Sequence, residues 1–140
     1  MAALITGVVI AACAGGTATP ASSDPLAFTM TAQGDSGVSG TGDIVKGNGS
    51  FTLTIKLTGM TANSVHVSHV HAGGCTHPGG IAYNLQSVAA NSSGAATTTS
   101  AVPAVYLVPT SGWYVNVHFG PDFTEAEYAP SISCGDLHPA

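Results

Sequence analysis

The chain has 140 residues, 44% of them hydrophobic and only 6% charged, with Lys46 and Lys56 the sole bases against seven acids, a formal net charge of −5. So few cations exclude a phosphate-binding surface, and with it nucleic acid as a partner, because that binding rests on many Lys and Arg contacts. The length suits one domain with a full core, since a chain of this size buries about two-thirds of its unfolded surface.

The N-terminal stretch 1–12 is almost wholly apolar. It is too short to cross a bilayer as a helix, which takes about 20 residues. Ile10-Ala11-Ala12-Cys13, followed by Ala14-Gly15-Gly16, resembles a bacterial lipobox, in which Cys13 is the lipidated residue; no basic segment precedes it. A cleaved signal peptide or an ordered apolar segment is the alternative. Residues 15–25 are rich in Gly, Ser, Thr and Pro and read as a flexible linker. Residues 1–25 are therefore assigned to an export segment with linker, and 26–140 to the folded domain. The expected location is periplasmic or extracellular, with a lipid anchor as the only membrane contact.

From Leu26 onward the periodicity is that of strands. Residues 26–32 are short and β-prone, and 34–49 read as two glycine-rich edge segments with turns at Gly34-Asp35 and Gly47-Asn48-Gly49. In 51–57, Phe51, Leu53, Ile55 and Leu57 alternate with Thr52, Thr54 and Lys56, one face for the core and one for water. A connection over 59–64 leads to a strand dense in histidine, 65–71, then to a loop over 72–80 containing Pro78. Residues 81–88 read as a strand, 91–93 as a turn and 94–102 as a Thr-rich edge strand. Residues 106–110 lead into a strand at 113–118, and 132–134 form a short last strand. No stretch has helical apolar spacing. Seven or eight short strands separated by turns are the pattern of an all-β antiparallel sandwich.

The chemistry concentrates in Val65-His66-Val67-Ser68-His69-Val70-His71, which with His118 holds four of the six histidines. In an extended strand His69 and His71 point the same way, about 6–7 Å apart, close enough to share one ion. His66 falls on the opposite face with Ser68 and Val70 and is not expected to join them. In the later strand Tyr114, Asn116 and His118 share one face and Trp113, Val115 and Val117 the other. Trp113 and Tyr114 read as core and rim. Three such imidazoles suit copper or zinc. Cys75 and Cys134 are the economical disulfide pair of an exported β domain, closing a loop of about sixty residues worth roughly 4 kcal/mol in the chain-entropy account. Cys13 is left over, which fits lipidation.

His69-Val70-His71 with Gly73-Gly74-Cys75, Asn116-Val117-His118 with Asp122, and Ser133-Cys134-Gly135 occur in the order seen in copper/zinc superoxide dismutase, which the chain resembles from Leu26 to Leu137. The resemblance implies a Greek-key, immunoglobulin-like sandwich, copper held by His69, His71 and His118, and a Cys75–Cys134 bond. It also implies a structural role for His66 and an orienting hydrogen bond from Asp122 to a metal-bound imidazole. Two features depart from that family. The segment after Cys75 offers only His77, a candidate fourth copper ligand, so a zinc site is not expected. The family's arginine, which guides superoxide, is replaced by Ser131, and the chain has no arginine at all. Three functions follow: a copper-only dismutase acting on superoxide; a copper chaperone or buffer of the cell envelope; or a structural sandwich, since His69-Val70-His71-Ala72-Gly73 and Trp113-Tyr114-Val115-Asn116-Val117-His118 also resemble the CHRD domain. Oligomeric state is not legible in the residues.

Overall fold

A computed structural model describes residues 24–140; the lipobox-like segment with Cys13 and most of the proposed linker lie outside these residues. Ten strands follow in order: β1 Leu26–Ala32, β2 Ser39–Lys46, β3 Phe51–Thr58, β4 Val65–His66, β5 Ser68–Gly74, β6 His77–Asn84, β7 Val88–Ala89, β8 Ala96–Val102, β9 Trp113–His118 and β10 Ser131–Leu137. The only helical element among the described residues is a 3₁₀ turn at Ala126–Tyr128. This is the all-β antiparallel sandwich that the strand periodicity predicts.

Eight strands form one curled sheet in the order β6-β5-β9-β10-β1-β2-β3-β8, and β4 pairs with β7 in a small second sheet. The curl is made at β1. Residues from Leu26 to Met30 pair with β2, whereas Thr31 and Ala32 pair with Cys134 and Ser133 of β10. The sheet thus folds into two layers that share a strand, and β10-β1-β2-β3 have the Greek-key order, with the last strand beside the first.

Alternation in β3 fills the space between the layers. Phe51, Leu53, Ile55 and Leu57 are buried. Phe51 meets Tyr83, Tyr106 and Trp113 at ring-centroid distances of 5.9, 5.3 and 6.4 Å. On the outer face Thr54 and Thr99 of β8 are directly opposite and joined by a 3.1 Å hydroxyl bond, the cross-strand pairing that suits a Thr-rich edge.

Several expectations change; the strands expected over 65–71 and 81–88 are each interrupted, at Val67 and over 85–87. The glycine-rich β2 is not an edge strand: it lies between β1 and β3. Its glycines are sites of close approach, since a Cβ on Gly42 would stand 2.1 Å from the Phe28 ring. The segment 72–80 is not an open loop but a tight hairpin, β5 running on to Gly74 and β6 starting at His77. Gly73 permits it, with φ at +98° and its missing Cβ replaced by the His77 carbonyl. The last strand is longer than 132–134, because Gly135, Asp136 and Leu137 continue the pairing with β9. The disulfide forms as expected, joining Cys75 in the hairpin to Cys134 in β10 with Cα atoms 5.9 Å apart.

Candidate metal centre

Strands β5 and β9 lie side by side, with His69 opposite Asn116, Val70 opposite Val115 and His71 opposite Tyr114. Opposed residues share a face, so His69, His71, Tyr114, Asn116 and His118 line one side of the sheet. Val70, Val115 and Val117 line the other, fully buried in the core. The histidines therefore sit on the outside of the sandwich. They are nevertheless buried, at 4, 8 and 6% exposure for His69, His71 and His118.

Two aromatic rings and the chain after β9 provide that cover. Phe123 stacks on His69 at 5.4 Å and meets His118 edge-on at 4.7 Å. Tyr114 stacks on His71 from the other side at 5.1 Å. The covering segment is tied down at Phe119 N–H to Pro130 O, 2.8 Å, and Gly120 N–H to Tyr128 O, 3.1 Å. Val67 N–H bonds Gly120 O at 2.9 Å, which fastens the cover to the histidine strand.

Hydrogen bonding fixes the form of the rings. His71 Nδ1 lies 3.0 Å from the Gly79 carbonyl, and His118 Nδ1 lies 2.7 Å from the Ala129 carbonyl. A carbonyl oxygen can only accept, so each Nδ1 carries a hydrogen, which in a neutral ring leaves the lone pair on Nε2. Those two Nε2 atoms are 3.4 Å apart. His69 Nδ1 is buried and has no hydrogen-bond partner. One nitrogen from each ring falls in a set whose members all lie within 4.8 Å of one another.

Burial favours the neutral form of His69 and His118. Burial, then repulsion from His118 and His71, pulls the His69 pKa from 6.5 down to about 4. Burial also lowers His118, against the raising effect of its bond to Ala129, and His71 lowers it further. Neutral imidazole is the form that binds metal. A separation of 3.4 Å is also what two nitrogens adopt at about 110° around an ion with bonds of about 2.05 Å. The three side chains could hold one metal ion.

The remaining expected residues lie outside this set. His66 is buried and bonds the His118 carbonyl through Nδ1 at 3.0 Å and the Ser64 hydroxyl through Nε2 at 2.8 Å, so it braces a ligand residue through the backbone. His77 is exposed at the hairpin tip with its ring on Thr76 Oγ1, 2.9 Å away, and is not part of the three-nitrogen set. Asp122 does not reach an imidazole in any hydrogen bond seen among the described residues. Its exposed carboxylate accepts from Thr124 N–H at 2.9 Å and Thr124 Oγ1 at 2.7 Å, bonds that lower its pKa. A short acidic side chain at the start of a turn is captured by the turn's own donors. Backbone carbonyls of Gly79 and Ala129 orient the rings instead.

Sequence reasoning placed Asn116 on the His118 face and Ser131 where the resembled family has its arginine, but gave neither a role at the site, and it did not single out Phe123. Asn116 Nδ2 stands 3.2 Å from His118 Nε2, and Asn116 Oδ1 accepts a short hydrogen bond from Ser131 Oγ. The shared parity of Tyr114, Asn116 and His118 was the signal for Asn116. A cleft of about 510 Å³ lies elsewhere, against the disulfide, between Phe28, Thr31 and Asp136. No protein-family model and no characterised protein matches the sequence. No helix among the described residues is long and apolar enough to cross a membrane.

Proposed function

We propose that the protein is a superoxide dismutase-like copper protein of the cell envelope, holding one copper ion through His69, His71 and His118. The observation that carries this reading is the convergence of three buried histidine rings, one nitrogen of each within 4.8 Å of the others. The Nε2 atoms of His71 and His118 lie 3.4 Å apart, and the third ring has an orphaned Nδ1. Three ring nitrogens gathered this closely could be joined by one cation. An all-imidazole set without thiolate or carboxylate suits copper in both of its common oxidation states.

Bound copper would supply one-electron chemistry, oxidising one superoxide to dioxygen and then reducing a second, with two protons, to hydrogen peroxide. The chain's own contribution is to fix three neutral donors, brace them with carbonyls and exclude bulk water with Phe123 and Tyr114. A net charge of −5 without arginine gives little attraction for an anionic substrate. That balance favours a second reading, in which the same site stores or delivers copper. The disulfide supports export, because such bonds persist in oxidising compartments.

One experiment separates these readings. The metal-free protein is titrated with Cu(II), Cu(I) and Zn(II), bound metal is quantified, and the loaded form is assayed for superoxide dismutation beside free copper. One tightly held copper with activity above the free ion supports the enzyme. Tight copper without activity supports the buffer or chaperone, and no tight metal leaves a structural sandwich.

A further inference from the structure

Asn116 is a buried amide with an assignment that its neighbours dictate. Its exposure is 7%. His118 Nδ1 is committed as a donor to Ala129, so His118 Nε2 can only accept, and the amide must present its NH₂ group there at 3.2 Å. Its oxygen then faces Ser131 Oγ, which donates to it. The two contacts agree on one orientation, and Ser131 holds the amide in place at β10 directly opposite His118.

An imidazole nitrogen has a single in-plane lone pair. When an ion takes that of His118, the Asn116 N–H loses its acceptor while staying buried and tethered by Ser131. A buried amide donor left unpaired is costly. An anion bound to the ion relieves that cost by accepting the freed hydrogen. We infer that Asn116, positioned by Ser131, is the hydrogen-bond donor that orients a small anionic ligand at the metal. Resting on the metal reading above, the inference names the ligand class: a compact anion with a lone pair beside its metal-bound atom, such as superoxide or azide. A carboxamide serves this role without adding charge, which matters in a chain that has no arginine.

The test uses copper-loaded protein and azide as the probe. Azide is titrated into wild type, Asn116→Ala, Asn116→Leu and Ser131→Ala, and its binding is followed by the azide-to-Cu(II) charge-transfer band and by EPR. Thermal melts identify variants that remain folded. The expected result is unchanged copper stoichiometry with azide affinity weakened about tenfold or more in both Asn116 variants, and by a smaller factor in Ser131→Ala. Unchanged azide affinity in folded Asn116 variants overturns the inference while leaving the copper site standing. Tighter copper with unchanged azide affinity also overturns it, since Asn116 would then only compete with the ion for His118. No copper uptake by wild type sinks the metal centre and this inference together.

Discussion

Acidifying the metal-free protein should destabilise it through His69, and removing His69 should remove that sensitivity. The unfolded ring takes a proton near pH 6.5, whereas the folded ring resists protonation down to about pH 4. The folded pKa is the lower one, so the full stability is present above the unfolded value and is lost as pH falls between the two. Between pH 7.5 and pH 5 this linkage amounts to about 2 kcal/mol for one ring. For a domain of this size, with an unfolding entropy of roughly 0.25 kcal/mol/K, the melting temperature should drop by about 8 °C. His69→Leu deletes the titrating group, and it also removes a buried nitrogen that has no partner. The assay is a set of thermal and urea melts of metal-free wild type and His69→Leu at pH 7.5 and 5. The variant should lose about 2 kcal/mol less than wild type on acidification, and it should no longer gain stability from metal. Equal pH slopes in the two proteins would refute the account of His69 as a buried, neutral, unpaired ring.

Replacing both Cys75 and Cys134 by Ser should cost about 4 kcal/mol, because the bond closes a loop with a sequence separation of 59; urea unfolding checks this, with a larger m-value expected as the unfolded chain expands. His66→Ala should cost about 1–3 kcal/mol by leaving the buried His118 carbonyl without its donor, yet should keep one tightly bound metal, as read by melts and metal quantification side by side. Loss of metal binding in a folded His66 variant would put His66 into the ligand set. Phe51→Ala should cost about 3–5 kcal/mol, as read by urea melts, since its ring joins both layers through Tyr83, Tyr106 and Trp113.

The histidine site was legible because strand periodicity is a local property. His69, His71 and His118 could be placed on single faces from parity alone, and His66 could be set apart by the same rule. Chain continuity through 65–71 was not: the strand breaks at Val67, whose backbone serves Gly120 and His118 rather than a regular ladder. That Asn116 belongs beside His69 depends on β5 pairing with β9 in one register, which no local pattern specifies. Phe123 was invisible for a similar reason. Its ring reaches the histidines only because the covering segment folds back at Gly120 and Tyr128. The glycines of β2 misled because glycine weakens a strand locally, while here it makes room for Phe28. Asp122 shows the limit of resemblance, since its carboxylate serves Thr124 in place of a more distant ring.

The pairing of β1 with β10 also has a bearing on the order of events in biosynthesis. Thr31 and Ala32 emerge about a hundred residues before their partners Cys134 and Ser133. Pairings between segments so distant in sequence form slowly, because the intervening chain must be ordered before the contact is made. His118 likewise appears long after His69 and His71. During translation the early histidines are thus displayed on an incomplete sheet, without the covering segment and without their third nitrogen. A site drawing on all three rings would need β9 in place, and a polypeptide arrested before β9 would lack the His118 nitrogen.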